Sequence, residues 1–559
     1  MIRNGRVIDG TGAPGVPADV AVVGDRIVAV GEVDGSGTEE IDADGLAVTP
    51  GFVDAHTHMD AQVFWDDLGT SSCWHGVTTV VMGNCGFTLA PARPEERALV
   101  LRNLERAEDI PAEALAAGLP WTWSTFAEYL DAVDALPKGI NYAGSIGHSA
   151  LRTWAMGERA FDGPATDDDL RVMHQELRAA LRAGAVGFST SESANHATSD
   201  GRPVASRLAS WEETAGLVGL VGRESTGAFE LAQASLRDLD EIDAYYRRLG
   251  DLAVTTGVPI VFNMAASPIS TIAMRAIDDA VARGGQMFAL TQCRSVHILQ
   301  SFRTRLSFDL IPEWQEIRRR PLEAQRAALH DADVRQRLVD AARHGDYSGA
   351  VGAEPGWPDY ERTTIVHSPY LPNPTVADEA RLRGIDPVDV IIDEALASDF
   401  EVLFAQEMAS PQDDDAMLAL LRHPRTAMTL SDAGAHVSQI CDASIQSYLL
   451  AYWVRERQAL SLEEAVHMIT DKPARVFGLR DRGLLAPGYA ADITMFDPDI
   501  VGPRLPRVVD DLPGGATRLV QQADGYAATI VNGRVFTRGD AASDVRSGRL
   551  LRAGATTPP

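Results

Sequence analysis

Two histidines one residue apart, in GFVDAHTHMD, are the first residues of this chain whose types and spacing could do chemistry. They follow an apolar run after a Pro-Gly turn, and that context reads as a strand. Side chains at i and i+2 of a strand leave on the same face, so His56 and His58 should project together. Two converging imidazoles suit a borderline divalent metal such as zinc. The run TTVVMGNCGF places Cys85 directly after a second strand, in a loop with Gly83, Asn84 and Gly86. A thiolate there would be a further ligand; an inert buried thiol is the competing reading. AMTLSDAGAH ends a late strand in Asp432. A carboxylate beside a metal could ligate it or take a proton from water, whereas an aspartate at that position could also simply cap a helix.

Other polar residues are placed more loosely. His148, in GHSALR at the end of a third strand, could ligate or polarise a carbonyl. His196 and His367 are weaker candidates for the same neighbourhood. His436 could steady the turn that holds Asp432. His75, His174, His330, His344, His423 and His467 lie in helical or polar contexts and read as surface or capping residues. Arg152 and Arg294, just beyond the third and seventh strands, could hold a substrate carboxylate or serve only in surface ion pairs.

The elements that must position these residues alternate. Apolar runs at 47–58, 78–83, 141–148, 186–191, 228–233, 259–265, 287–292 and 427–432 are separated by helical stretches such as LVLRNLERAEDI and DLRVMHQELRAALRAG. Strand–helix alternation of this kind predicts an α/β fold with a parallel sheet, here a (β/α)8 TIM-like barrel over residues 49–479. Its active site belongs at the mouth formed by the strand ends. Two further candidate strands, 363–368 and 401–406, exceed the count of eight. With the charged helical stretch before them they predict an insertion over the mouth at 295–400, whose Phe302, Phe308, Trp314, Trp357 and Tyr370 could wall an apolar pocket. Residues 1–48 and 480–545 read as short strands and turns, and are expected to pair into one small β-sandwich domain. The last 15 or so residues, ending GATTPP, read as a loose tail.

The 559 residues carry a net charge of −29, with 45% hydrophobic and 23% charged residues. That is the composition of a large globular protein, and a field of that sign disfavours nucleic acid and anionic membranes as partners. There is no long apolar run and no signal-like N-terminus, so a cytoplasmic protein acting on a small molecule is expected. The four scattered cysteines form no CxxC pair. The oligomeric state is not legible.

With PGFVDAHTH, SDAGAH and the closing GLLAPGYAADITMFDP in place, the chain resembles the amidohydrolase superfamily. GNCGF, GHSALRTWAMG and GFSTS are similar to its N-acyl-D-amino-acid deacylase (D-aminoacylase) branch. The resemblance implies a metal-dependent hydrolase of a C–N bond, often with zinc, in which His56, His58, Cys85 and Asp432 match motif positions. It also implies a histidine on each of the fifth and sixth strands. Here those strands read AFELAQ and PIVFNMA, and Glu230 and Asn263 are the nearest polar residues. The only lysines, Lys138 and Lys472, lie away from strand ends, so a lysine bridge between two metals is not expected. The expectation is one divalent metal, zinc by preference, held by His56, His58 and Asp432, with Cys85 or Glu230 as a further ligand. Asp432 would act as general base with His148 assisting, and Asn263, Arg152, Arg294 and His367 would contact substrate. Hydrolysis of a cyclic imide, lactone or carbamate is an alternative, and an inactive scaffold a second.

Overall fold

The computed structural model describes residues 1–370, 372–408 and 413–554. Eight short strands form its centre: β1 (Phe52–Asp54), β2 (Val77–Met82), β3 (Asn141–Gly147), β4 (Gly187–Ser191), β5 (Ala228–Ala232), β6 (Ile260–Asn263), β7 (Met287–Thr291) and β8 (Thr426–Met428). Each pairs in parallel with its neighbours in that order. β2 reads VTTVVM and is buried throughout, because helices cover one face and side chains fill the other. All eight expected runs contain a strand of this sheet, although the first, 47–58, also takes in Ala47–Pro50 of another sheet and the last, 427–432, runs into a separate extension.

The curled sheet brings its two edges together. His56–Thr57 prolongs β1 and Leu430–Ala433 prolongs β8, and these extensions pair in parallel, Leu430 opposite His56. Just below them Thr429 Oγ1 donates to Val53 O at 3.0 Å and accepts from the Ala55 amide at 2.6 Å. That closure carries the histidines and Asp432 to the same end of the strands.

Residues 297–407 add a three-stranded antiparallel sheet, Thr363–Ile365 and His297–Gln300 flanking Phe404–Glu407, with three helices between 312 and 344. The two surplus runs thus pair with each other, outside the parallel sheet. Phe302, Phe308 and Trp314 are buried in a separate apolar cluster of this region. They are packing residues of the segment and do not wall the site, contrary to expectation. Trp357 is 64% exposed.

Both ends of the chain share one sheet. Ile493–Phe496 pairs with Ala47–Pro50 on one side and Tyr526–Val531 on the other, and Ala47–Pro50 pairs with Ile2–Val7. The tail is not loose as far as it is described. Leu550–Leu551 joins β3 in parallel, and the Gly548 amide donates to Lys138 O at 2.7 Å. The final residues 555–559 lie outside the described residues.

Candidate metal centre

His56 and His58 lie at the edge junction, both buried, with ring centroids 5.4 Å apart. Cys85 follows β2, and its Sγ is 3.4 Å from His56 Nε2. These three are a cluster whose ligand atoms all lie within 4.8 Å of one another. Asp432 Oδ1 completes it at 3.3 Å from His56 Nε2 and 3.2 Å from His58 Nε2. Its backbone sits at φ 57°, as Cys85 does at 53° and His436 at 46°. Left-handed backbone is costly for residues with a Cβ and persists where surroundings over-determine it. Here Gly434 is part of that constraint: at φ +93°, a Cβ on this residue would lie 2.6 Å from the His58 carbonyl oxygen, so only glycine fits the turn.

The electrostatics call for a cation. Burial alone would lower His58, but Glu108 and then Asp432 push its imidazole up to about 9. Burial opposes ionisation of Asp432, yet the two imidazoles hold its carboxyl well below the usual range. Burial, then the charges of Glu230, Glu108 and Asp432, drive the Cys85 thiol up, which a bound cation would reverse. His56 Nδ1, both ring nitrogens of His58, Glu230 Oε1, Glu108 Oε1 and Asn263 Oδ1 are buried without a hydrogen-bond partner. A donor set of imidazoles, thiol and carboxylates with unused lone pairs fits a divalent transition metal.

Glu230, at the centre of β5, stands behind His56. Its Oε2 accepts from the Cys85 amide at 2.7 Å and its Oε1 faces His56 Nδ1 at 3.5 Å. That position fixes which imidazole nitrogen faces Asp432, the role of an outer partner and not of a ligand. Asn263 lines the cavity above the cluster. So does Arg294, whose Nη2 pairs with Asp442 at 2.8 Å and whose Nε is left free of partners.

Three expected residues are elsewhere. His148 begins the helix His148–Met156, so its fully buried ring turns behind the sheet and meets Thr190 Oγ1 at 2.9 Å and Glu213 Oε1 at 3.0 Å. Arg152, also fully buried, donates to Glu213 at 2.6 Å. With Glu213 this pair forms a structural clamp, and neither residue lines the cavity at the histidines. His367 is exposed, its amide donating to Asn373. His75 is no surface residue: it is fully buried, held by Ser447 Oγ at 2.8 Å and Gln521 O at 3.1 Å.

Two residues at the site carry little or no signal in the sequence. Glu108, in a turn after the helix Arg97–Glu105, brings Oε2 to 3.6 Å from His58 Nε2. No motif marks it. His196 lines the cavity with its Nδ1 2.7 Å from Ser191 Oγ. Ser191 Oγ also accepts from the Ser193 amide at 3.2 Å. Burial, then His436 and His58, lower His196 to about 3, so this imidazole is neutral.

The cavity has two lobes of about 390 and 380 Å³ that share Asp432, His436, His196, Asn195, Gln233 and Asn263. The first is walled by Leu236, Ile242, Tyr245, Tyr246 and Ile269, and the second reaches Arg294 and Gln292.

Residues 39–537 match the amidohydrolase family. The chain belongs to that family. This amidohydrolase is 30% identical to the N-acyl-D-glutamate deacylase of Alcaligenes xylosoxydans xylosoxydans, over 100% of this chain and 97% of the relative. Among solved structures it is similar to N-acyl-D-glutamate deacylase from Bordetella bronchiseptica, complexed with zinc and a phosphonate mimic of the tetrahedral intermediate. That likeness has a TM-score of 0.62 and 26% identity, covering 99% of each chain. It is similar also to a D-aminoacylase described as having a binuclear metal centre with one-metal activation and second-metal attenuation, with a TM-score of 0.65, 25% identity and 99% of each chain covered. As an amidohydrolase it is a hydrolase of C–N bonds, and among its described residues no helix is long and apolar enough to cross a membrane.

Proposed function

We propose that this amidohydrolase is a metal-dependent N-acyl-D-amino-acid deacylase. The observation that carries the reading is Asp432 Oδ1 set between His56 Nε2 and His58 Nε2, beside Cys85, at the floor of a two-lobed cavity. The D-configuration and the N-acyl amino acid come from the relatives. The residues fit a divalent metal, zinc by donor chemistry, held by His56, His58, Cys85 and Asp432; the binuclear centre of the D-aminoacylase relative weighs against the single ion that the sequence suggests. When bound, the metal supplies Lewis acidity toward water and the scissile carbonyl.

This chain's residues do the rest. Asp432, held ionised by its two imidazoles, accepts the proton of the attacking water and returns it to the leaving nitrogen. His196, a neutral imidazole in the cavity wall, donates to the oxygen on which charge develops, the part that the sequence suggests for His148. Arg294 takes the substrate carboxylate in one lobe, and the apolar lobe at Leu236 and Ile269 takes the acyl group. We further read the curled sheet of residues 49–479 as a (β/α)8 barrel, residues 1–48 with 480–545 as a composite β-sandwich domain, and 295–400 as an insertion. The sheet shared by both termini and the separate apolar cluster support that division.

The test is amine release from paired D and L N-acetyl amino acids, with and without chelation. Turnover of D-substrates that chelation abolishes and a divalent ion restores is expected. A metal-loaded protein that releases amine from none of them overturns the reading.

A further inference from the structure

Glu108 is a carboxylate in the wrong place for a structural residue. It is 1% exposed, its Oε1 has no partner, and it lines the cavity at the metal centre. An ionisable group this buried is costly unless a charge or a coordinate bond compensates it. Its setting is also held from both sides. The preceding Arg106 forms a two-pronged pair with Glu354, both contacts 2.9 Å. The Glu108 amide donates to Leu104 O at 2.9 Å, and its carbonyl accepts from the His436 amide at 2.5 Å. The following Asp109 accepts from Ser438 Oγ and pairs with Arg305, each at 2.6 Å. A turn anchored in this way aims one carboxylate at His58.

The separations have the form of a coordination shell. Donor atoms about 2.0–2.3 Å from a five-coordinate ion stand roughly 2.8–4.0 Å from one another where they are neighbours. Here His56 Nε2 to Cys85 Sγ is 3.4 Å, each imidazole to Asp432 Oδ1 is 3.3 or 3.2 Å, and His58 Nε2 to Glu108 Oε2 is 3.6 Å. Cys85 closes the His56 side of this series and Glu108 closes the His58 side. Meanwhile Glu230 faces the far nitrogen of His56, and Asn263 is a poor anionic substitute for a histidine.

We propose that Glu108 is a ligand of the metal centre and supplies the anionic donor that β5 and β6 do not. The inference rests on the metal-dependent reading above and adds to it a donor from the loop after β2. With Glu108 the shell gains a second carboxylate beside two imidazoles and a thiol, so cobalt and manganese should bind usefully alongside zinc.

The experiment strips the full-length protein with a chelator. It then follows Zn²⁺ affinity by competition with a chromophoric chelator, and Co²⁺ binding by its visible absorption. Glu108→Gln should weaken zinc by about 10-fold or more and change the cobalt spectrum. If Glu108 served only packing, the variant would melt lower while the cobalt spectrum stayed that of wild type. Where Glu108→Gln gives no folded protein, Glu108→Asp is read instead: the carboxylate retracts by one methylene, so zinc should still loosen. Wild-type affinity and spectrum in the folded variant overturn this inference alone. A wild-type protein that binds no divalent ion overturns it together with the metal reading.

Discussion

Asp432 touches both imidazoles, so replacing it by asparagine removes charge and basicity while nearly keeping shape. Asp432→Asn should lower kcat by roughly two to four orders of magnitude with KM changed far less. Near-normal turnover would assign the base elsewhere. Elemental analysis of the purified protein should find tightly held transition metal, and a protein active with none would be the contrary result. His56, His58, Cys85 and Asp432 were legible in the sequence because each stands at or just past a strand end, where period and turn fix a side chain's direction. His148 also follows a strand but begins a helix, and the bend at Gly147 carries its ring behind the sheet to Glu213. Glu108 and His196 come from loops, whose paths depend on anchors such as Arg106–Glu354 that are distant in sequence.

The apolar wall of the first lobe comes from the segment after β5 and from the helices Leu239–Thr256 and Pro268–Ala282, while residues 295–400 reach only the second lobe, at Ser295, Val296, Gly352 and Ala353. Leu236→Ala should therefore raise KM for bulky acyl groups by about 5- to 150-fold, roughly the 1–3 kcal/mol of lost apolar contact, while acetyl substrates change little. Trp357→Ala should leave this preference as in wild type, since Trp357 is exposed and lines a different groove with Tyr360 and Ile385. Equal KM changes for acetyl and long-chain substrates in Leu236→Ala would show that the acyl group lies elsewhere. The sequence held the strand count and the helical nature of 312–344. It could not show which way the aromatic residues of that segment face, because a region with its own core and a lid on another core have the same apolar spacing.

Across the whole molecule, His75 ties the start of β2 to Ser447 and to Gln521 of the C-terminal region. Burial holds its imidazole down to about 4, against an ordinary value of 6.5. Above pH 6.5 both the folded and unfolded forms are neutral there. As pH falls, the unfolded chain takes a proton that the folded one refuses until about 4. Folded stability should thus decline on acidification through that window, by about 3 kcal/mol in all. His75→Gln should flatten the dependence of Tm on pH between 7 and 5, and an unchanged slope would assign it to other groups.

The sheet shared by the two chain ends also sets a timetable. Ala47–Pro50, fully buried once paired, waits for Ile493–Phe496. About 440 residues must be translated in between, which at roughly 5–20 residues per second takes about 20 to 90 seconds. Throughout that interval the ribosome carries an apolar strand edge with no partner. Nascent chains stalled before residue 493 should therefore recruit holding chaperones and aggregate when these are depleted, whereas chains released after residue 531 should not.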